Sequence, residues 1–173
     1  MNYAGIIKND TGAGNKVNVS LYVSGCPLKC KGCHNAEMQD YNYGKPLTTE
    51  VIQDIVDSIV DNGVQRNFSI LGGEPLAPPN LHGVARVINA VRCSYPDIEI
   101  YLWTGYTLEQ INNRIIELCR GSSKDQMAED LIYIMNNIDF LIDGPYIEAE
   151  RDITLPLRGS RNQRIIQMNE VLK

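Results

Sequence analysis

Apolar and polar positions alternate along this chain with two distinct periods. In "VNVSLYV" (17–23), Val17, Val19, Leu21 and Val23 alternate with Asn18, Ser20 and Tyr22, the period-2 pattern of a strand. "TTEVIQDIVDSIVDNG" switches to helical spacing: Ile52, Ile55, Val56, Ile59 and Val60 share one face, Thr48 is the N-cap, Glu50 lies in the first turn, and Gly63 is the stop. "NFSIL" (67–71) predicts a short strand running into the tight turn "GGEP". "NLHGVARVINAV" predicts a second helix, capped by Asn80, with Val84, Val87, Ile88 and Val91 facing inward. "IEIYLW" (98–103) is a third strand, followed by "TGYT" and a helix from Thr107 to Arg120 that ends at Gly121. A loop over 122–126, a helix around 128–137, the strand "IDFLI" (138–142) with its turn "DGPY", and a last strand "RIIQM" (164–168) complete the pattern.

Strands alternating with helices imply parallel βαβ units with right-handed crossovers. No repeat, linker or low-complexity segment divides the 173 residues, so residues 1–173 read as a single α/β domain. The expected architecture is an incomplete (β/α) barrel of mostly parallel strands, because a full barrel takes about 250 residues. In such folds ligands sit at the C-terminal ends of the strands. The turns "SGC", "GGEP", "TGY" and "DGPY" each follow an expected strand and are therefore expected to line one rim.

Composition narrows the class. Hydrophobic residues make up 43% and charged residues 21%, as in an ordinary globular protein that buries about 70% of its unfolded surface. The net charge of -5 argues against general nucleic-acid binding, which relies on a basic surface. No apolar run approaches the roughly 20 residues of a membrane span, and "MNYAGIIKND" lacks the pattern of a secretory signal. A soluble, cytoplasmic protein that engages neither membrane nor nucleic acid is expected.

Candidate chemistry is concentrated in "VSGCPLKCKGCHNAEM" (23–38), where Cys26, Cys30 and Cys33 are spaced C-x3-C-x2-C. An odd total of five cysteines, three of them in one short segment, suits metal in a reducing compartment better than disulfides. Thiolates are soft ligands for zinc or iron–sulfur clusters, and a complete four-iron cluster takes four cysteines, one per iron. Cys93 and Cys119 sit in the last turns of expected helices, away from the rim, and read as partly buried apolar thiols. His34 adjoins Cys33, where ligation by neighbours is awkward. The simplest account places three cysteines on three irons and leaves the fourth iron open. A closed zinc or electron-transfer site recruiting Cys93 or Cys119 is the non-enzymatic alternative, and it leaves "GGEP" without a task.

The three cysteines after a first strand, with "GGEP" after a second, resemble the radical S-adenosylmethionine superfamily. Within it, "SGCPLKCKGCHN", "LGGEPL", "WTGYT", "LIDGPY" and "LRGSRNQRII" are similar, in order, to the anaerobic ribonucleoside-triphosphate reductase-activating proteins, from about residue 2 to residue 168. The resemblance implies a [4Fe–4S] cluster held in a loop over 24–36 by Cys26, Cys30 and Cys33, with S-adenosylmethionine on the open iron. It implies reductive cleavage to a 5′-deoxyadenosyl radical, which removes a hydrogen from one glycine of the large subunit of the reductase. A flavodoxin-like electron donor is implied by the same analogy.

Carried over residue by residue, the resemblance gives Gly72 and Gly73 the close backbone approach to the methionine moiety. Glu74 would accept a hydrogen bond from its ammonium group, and Thr104 would reach the cofactor's polar groups or simply enter a helix. Much of the superfamily has an aromatic residue before the third cysteine, where this chain has Gly32. His34 is then expected to stack near the adenine, with the backbone of residues 32–34 alongside.

The remaining features read more plainly. "DTGAGNK" (10–16) lacks the spacing of a phosphate loop and reads as a glycine-permitted turn. Arg158, Arg161 and Arg164, with Arg151 nearby, read equally as solvated charges or as a docking surface for the reductase. Tyr101 and Trp103 fit core packing, and His82 is expected to be exposed without a role. An activator of a different glycyl-radical enzyme, or a small-molecule radical enzyme, is the neighbouring alternative.

Overall fold

The computed structural model describes residues 1–121 and 125–171. Among the described residues nine strands are formed in chain order: β1 (Asn2–Asp10), β2 (Asn18–Val23), β3 (Lys45–Pro46), β4 (Val60–Asp61), β5 (Val64–Gln65), β6 (Asn67–Gly72), β7 (Ile100–Trp103), β8 (Phe140–Asp143) and β9 (Arg164–Gln167). The α-helices are α1 (Thr49–Ile59), α2 (Pro78–Ser94), α3 (Leu108–Gly121), α4 (Gln126–Asn137) and the short α5 (Met168–Val171). Single 3-10 turns cover Ala36–Gln39 and Glu148–Glu150.

The α/β class is borne out, with a seven-stranded mixed sheet ordered β3-β1-β2-β6-β7-β8-β9. Its centre, β2-β6-β7-β8, is parallel. Antiparallel strands flank it: β1 and β3 on one side, β9 on the other. The four parallel strands follow one another in chain order without the reversal of a doubly wound sheet. Crossovers of one hand then fall on one face, and helices α1, α2, α4 and α3 do pack side by side in that order.

Alternation gives the sheet two unlike faces. Val19, Leu21, Phe68, Ile70, Ile100, Leu102 and Leu141 point to the helices and form the core with Ile55, Ile59, Leu81, Val84, Ile88, Ile111, Leu131 and Ile134. The other face carries Asn18, Ser20, Asn67, Ser69 and Tyr101, all buried. The "DTGAGNK" turn covers part of it: Ser69 Oγ donates to the Ala13 carbonyl and Asn15 N–H to Tyr101 Oη.

Some local expectations are corrected. Helix α1 is capped by Thr48 as expected but stops at Ile59, and Val60 is 43% exposed in the β4–β5 hairpin rather than on the buried stripe. Asn62 and Gly63 both have positive φ, so Asn-Gly here is a hairpin turn, a strong local signal that overrides the helical period. Helix α2 begins at Pro78, with Ala77 in the cap position, so Asn80 is not its cap. Strand β1 was not legible in "NYAGIIKND", which lacks clean alternation and finds its partner in β2. The loop expected over 122–126 lies in part, at 122–124, outside the described residues; Asp125 caps α4. Cys93 and Cys119 are exposed, not partly buried. Among the described residues no helix is long and apolar enough to cross a membrane.

Candidate functional site

Four loops leave the ends of the parallel strands and meet. After β2 come Ser24, Gly25 and Cys26; after β6, Gly73 and Glu74; after β7, Thr104 and Gly105; after β8, Gly144. Backbone hydrogen bonds join them: Gly73 N–H to the Val23 carbonyl (2.8 Å), Glu74 N–H to the Gly25 carbonyl (2.9 Å), Thr104 N–H to the Ile142 carbonyl (2.9 Å) and Gly144 N–H to the Tyr106 carbonyl (3.0 Å). They open on a cavity of about 560 Å³, within the range of small-molecule sites. Cys26, Cys30, Cys33, His34, Gly72, Gly73, Glu74 and Thr104 all line it, whereas Gly32 does not.

The cysteine loop contains no strand and only the 3-10 turn at its end. Its path needs positive φ at Gly25 (92°), Lys29 (48°) and Gly32 (72°). A second tie anchors it, from Gly25 N–H to the Met38 carbonyl at 2.7 Å. All three thiols are free and half-buried. Burial pushes the Cys26 thiol up; the backbone at Leu28 and Lys29 pulls it down, and the Glu74 charge raises it further. Among the described residues no three His, Cys, Asp or Glu side chains are grouped to hold a single ion. A four-iron cluster makes no such demand, since each cysteine takes its own iron. Soft donors facing a cavity of this size fit such a cluster.

Gly72 and Gly73 are needed by the chain's own packing. Gly72 has φ of 106°, and a Cβ there would lie 2.8 Å from the Val23 carbonyl oxygen. A Cβ on Gly73 would lie 2.7 Å from the Gly25 carbonyl oxygen. The absence of side chains thus lets the β6 exit seat against the cysteine loop, besides opening the cavity wall. Gly32 faces outward, toward Glu148.

Glu74 is 1% exposed, with Oε1 accepting from Leu76 N–H (2.9 Å) and Thr104 Oγ1 (2.7 Å), and Oε2 from Gly105 N–H (2.8 Å). Oε2 keeps acceptor capacity for one further donor. Thr104, expected to reach a cofactor or to enter a helix, directs its hydroxyl at Glu74 and accepts from Tyr106 N–H. Burial outweighs these donors and pushes the Glu74 carboxyl up to about 7.

A pH effect follows. Between about pH 4.5 and pH 7 the folded protein keeps a proton on Glu74 that the unfolded chain has released, so this contribution is full at low pH and lost as pH rises. At roughly 1.4 kcal/mol per unit, it amounts to roughly 3 kcal/mol. Urea unfolding of metal-free protein should therefore show the gap between wild type and Glu74→Gln narrowing or reversing in favour of the variant as pH rises. A gap independent of pH would show that Glu74 ionises normally.

The chain after β8 closes one side. Asn162 Nδ2 donates to the Pro145 carbonyl and Gln163 Nε2 to the Gly144 carbonyl, sewing "DGPY" to "RGSRNQ". Trp103 Nε1 donates to the Leu157 carbonyl (2.8 Å), tying this wall to β7. The arginines are separated rather than clustered. Arg164 pairs with buried Asp143 and with Glu109, Arg161 with Asp152, while Arg151 and Arg158 line the cavity. His82 is exposed as expected but contacts Asp130.

Several contributors escaped the sequence reading. Asn35 Nδ2 donates to the Gly72 carbonyl (3.2 Å), linking the cysteine loop to β6. Arg114 Nη1 donates to the Leu76 carbonyl (2.7 Å) beneath Glu74. Polar side chains aimed at distant backbone leave no periodic signal.

An α/β fold whose parallel strand ends present free thiols to one cavity defines an iron–sulfur class of protein, and residues 11–166 match the family described as "4Fe-4S single cluster domain". The chain is 34% identical over 166 residues to the anaerobic ribonucleoside-triphosphate reductase-activating protein of Vibrio cholerae, covering 95% of this chain and 97% of that one. It is 32% identical over 166 residues to the protein of that name from Haemophilus influenzae (95% and 97% covered) and 30% over 164 residues to that of Escherichia coli K12 (94% and 96%). The chain belongs to the family of anaerobic ribonucleoside-triphosphate reductase-activating proteins.

Proposed function

We propose that this chain activates an anaerobic ribonucleoside-triphosphate reductase by installing a glycyl radical on its large subunit. It is a radical S-adenosylmethionine enzyme of 173 residues acting as one domain, an incomplete barrel with its active site at the C-terminal strand ends. When bound, a [4Fe–4S] cluster and S-adenosylmethionine supply an electron and a C–S bond whose cleavage yields the 5′-deoxyadenosyl radical that takes hydrogen from the glycine. Cys26, Cys30 and Cys33 hold three irons, and the protein offers the fourth no thiolate. Gly72, Gly73 and Glu74 receive the methionine end, with Glu74 Oε2 accepting from its ammonium group. Thr104 acts through Glu74, holding that carboxylate in place. His34 and the backbone of residues 33–34 lie beside the adenine, while Gly32, turned outward, takes no part. Arg151 and Arg158 at the rim face the reductase. A flavodoxin-like protein supplies the electron, and the enzyme works in the cytoplasm.

One observation carries this reading: three half-buried thiols and the Gly-Gly-Glu turn share one cavity, and the cysteine loop is joined to that turn by the backbone hydrogen bond from Glu74 N–H to the Gly25 carbonyl. The relatives' names favour the reductase over another glycyl-radical enzyme as the target.

The test is anaerobic reconstitution with iron and sulfide, reduction, and electron paramagnetic resonance with and without S-adenosylmethionine. A reduced four-iron signal that changes on adding S-adenosylmethionine, followed by a glycyl radical on added reductase, is expected. A cluster indifferent to S-adenosylmethionine would mean a closed site and overturn the proposal. A responsive cluster that leaves the reductase without a radical would redirect it to another target.

A further inference from the structure

Asn80 stands apart from both motifs, yet it touches both. It lies in the first turn of α2, 1% exposed, two residues beyond the start of the helix at Pro78. Its side chain turns away from its own helix. Nδ2 donates to the Glu74 carbonyl (2.9 Å) and the Ser24 carbonyl (3.0 Å), with the Gly25 carbonyl at 3.4 Å. Ser24 and Gly25 lead directly into Cys26, and Glu74 carries the buried carboxylate at the cavity wall. One amide group therefore spans the two loops whose relative position sets the distance from the first thiol to that carboxylate.

The chemistry of the contact is one-sided. An amide presents two N–H donors, and here they serve three carbonyls. Its acceptor, Oδ1, is buried without a partner. A buried polar atom left unpaired is costly, so a residue serving packing alone would better be apolar. Only the donor half is used, and it is used on the two loops. Helix α2 supplies a firm base, because Leu81, Val84, Val87, Ile88 and Val91 are fully buried in the core.

Resting on the functional reading above, we propose that Asn80 is a positioning residue for S-adenosylmethionine: it holds the Cys26 loop and the Glu74 turn at the spacing needed for the cofactor to reach the open iron and the carboxylate together. It does not touch the cofactor itself, and it is not needed to load iron.

The test uses reconstituted full-length enzyme with Asn80→Ala and Asn80→Asp. Alanine removes the donors; aspartate keeps the shape but turns acceptors toward three carbonyls. Iron and sulfide per chain, the melting temperature, the KM for S-adenosylmethionine against kcat for glycyl-radical formation, and the paramagnetic resonance change on adding cofactor are measured together. Expected for Asn80→Ala is full iron content with a KM raised about tenfold, the loss of one to two net hydrogen bonds. Asn80→Asp should raise it further and blunt the spectral response to the cofactor. Unchanged KM and spectral response in both variants would overturn the inference. So would iron loss in step with lost folded protein while the remaining cluster answers S-adenosylmethionine normally, since that is a purely structural role. If the wild-type cluster itself ignores S-adenosylmethionine, the functional reading fails first, and the two failures are thereby distinguished.

Discussion

Cys33→Ala is expected to fold and melt like the wild type while holding no stable four-iron cluster and forming no detectable glycyl radical on the reductase. The reasoning starts from burial. Cys33 is half-buried on a loop outside the hydrophobic core, so trimming its sulfur leaves no core cavity. The backbone bond from Cys33 N–H to the Cys30 carbonyl, 3.2 Å long, does not depend on the side chain. Ligation does depend on it: with three thiolates for four irons, removing one leaves two irons without a protein ligand. Cys26→Ala and Cys30→Ala should behave alike. Cys93→Ala and Cys119→Ala are the controls, because both thiols are exposed on the outer turns of α2 and α3. Iron and sulfide analysis after anaerobic reconstitution separates the two groups. Iron retained by Cys33→Ala, or lost from Cys93→Ala, would reassign the ligands.

Gly25→Ala should be the most damaging small substitution in the loop. Gly25 has φ of 92°, where a side chain is strained, and a Cβ would lie 2.0 Å from Cδ1 of the Tyr41 ring. Its N–H and carbonyl hold Met38 and Glu74, so the backbone has little freedom to relieve the contact. Strain and displacement together should cost about 2–4 kcal/mol. For a chain of this size that lowers the melting temperature by roughly 5–15 °C. Iron occupancy should fall with it, since Cys26 is the next residue. Adding Tyr41→Ala separates the causes: the double variant should recover the part due to the ring and keep the part due to φ. A Gly25→Ala protein that melts with the wild type would show that the loop accommodates a side chain there.

Much of this was legible beforehand where period and spacing act locally. Strands β2, β6, β7, β8 and β9, the Thr48 cap and the inward face of α2 follow from alternation, helical spacing and capping chemistry. Each is a property of a few neighbouring residues. So is the C-x3-C-x2-C loop, and the rule that turns follow strands was enough to bring "SGC", "GGEP" and "TGY" to one cavity.

The tertiary structure decided what depends on residues far apart in the chain. Strand β1 exists because β2 offers it an edge, and the antiparallel flanks make the sheet mixed. Val60 left the helix for a hairpin once Asn62 and Gly63 turned the chain. Thr104 found Glu74, Asn80 found two loops 56 and 6 residues away, and Arg161 and Arg164 were drawn to separate carboxylates. Buried polar groups must find partners wherever the fold brings them. Periodicity records which way a residue faces, whereas a hydrogen bond between distant segments exists only after the chain has closed on itself.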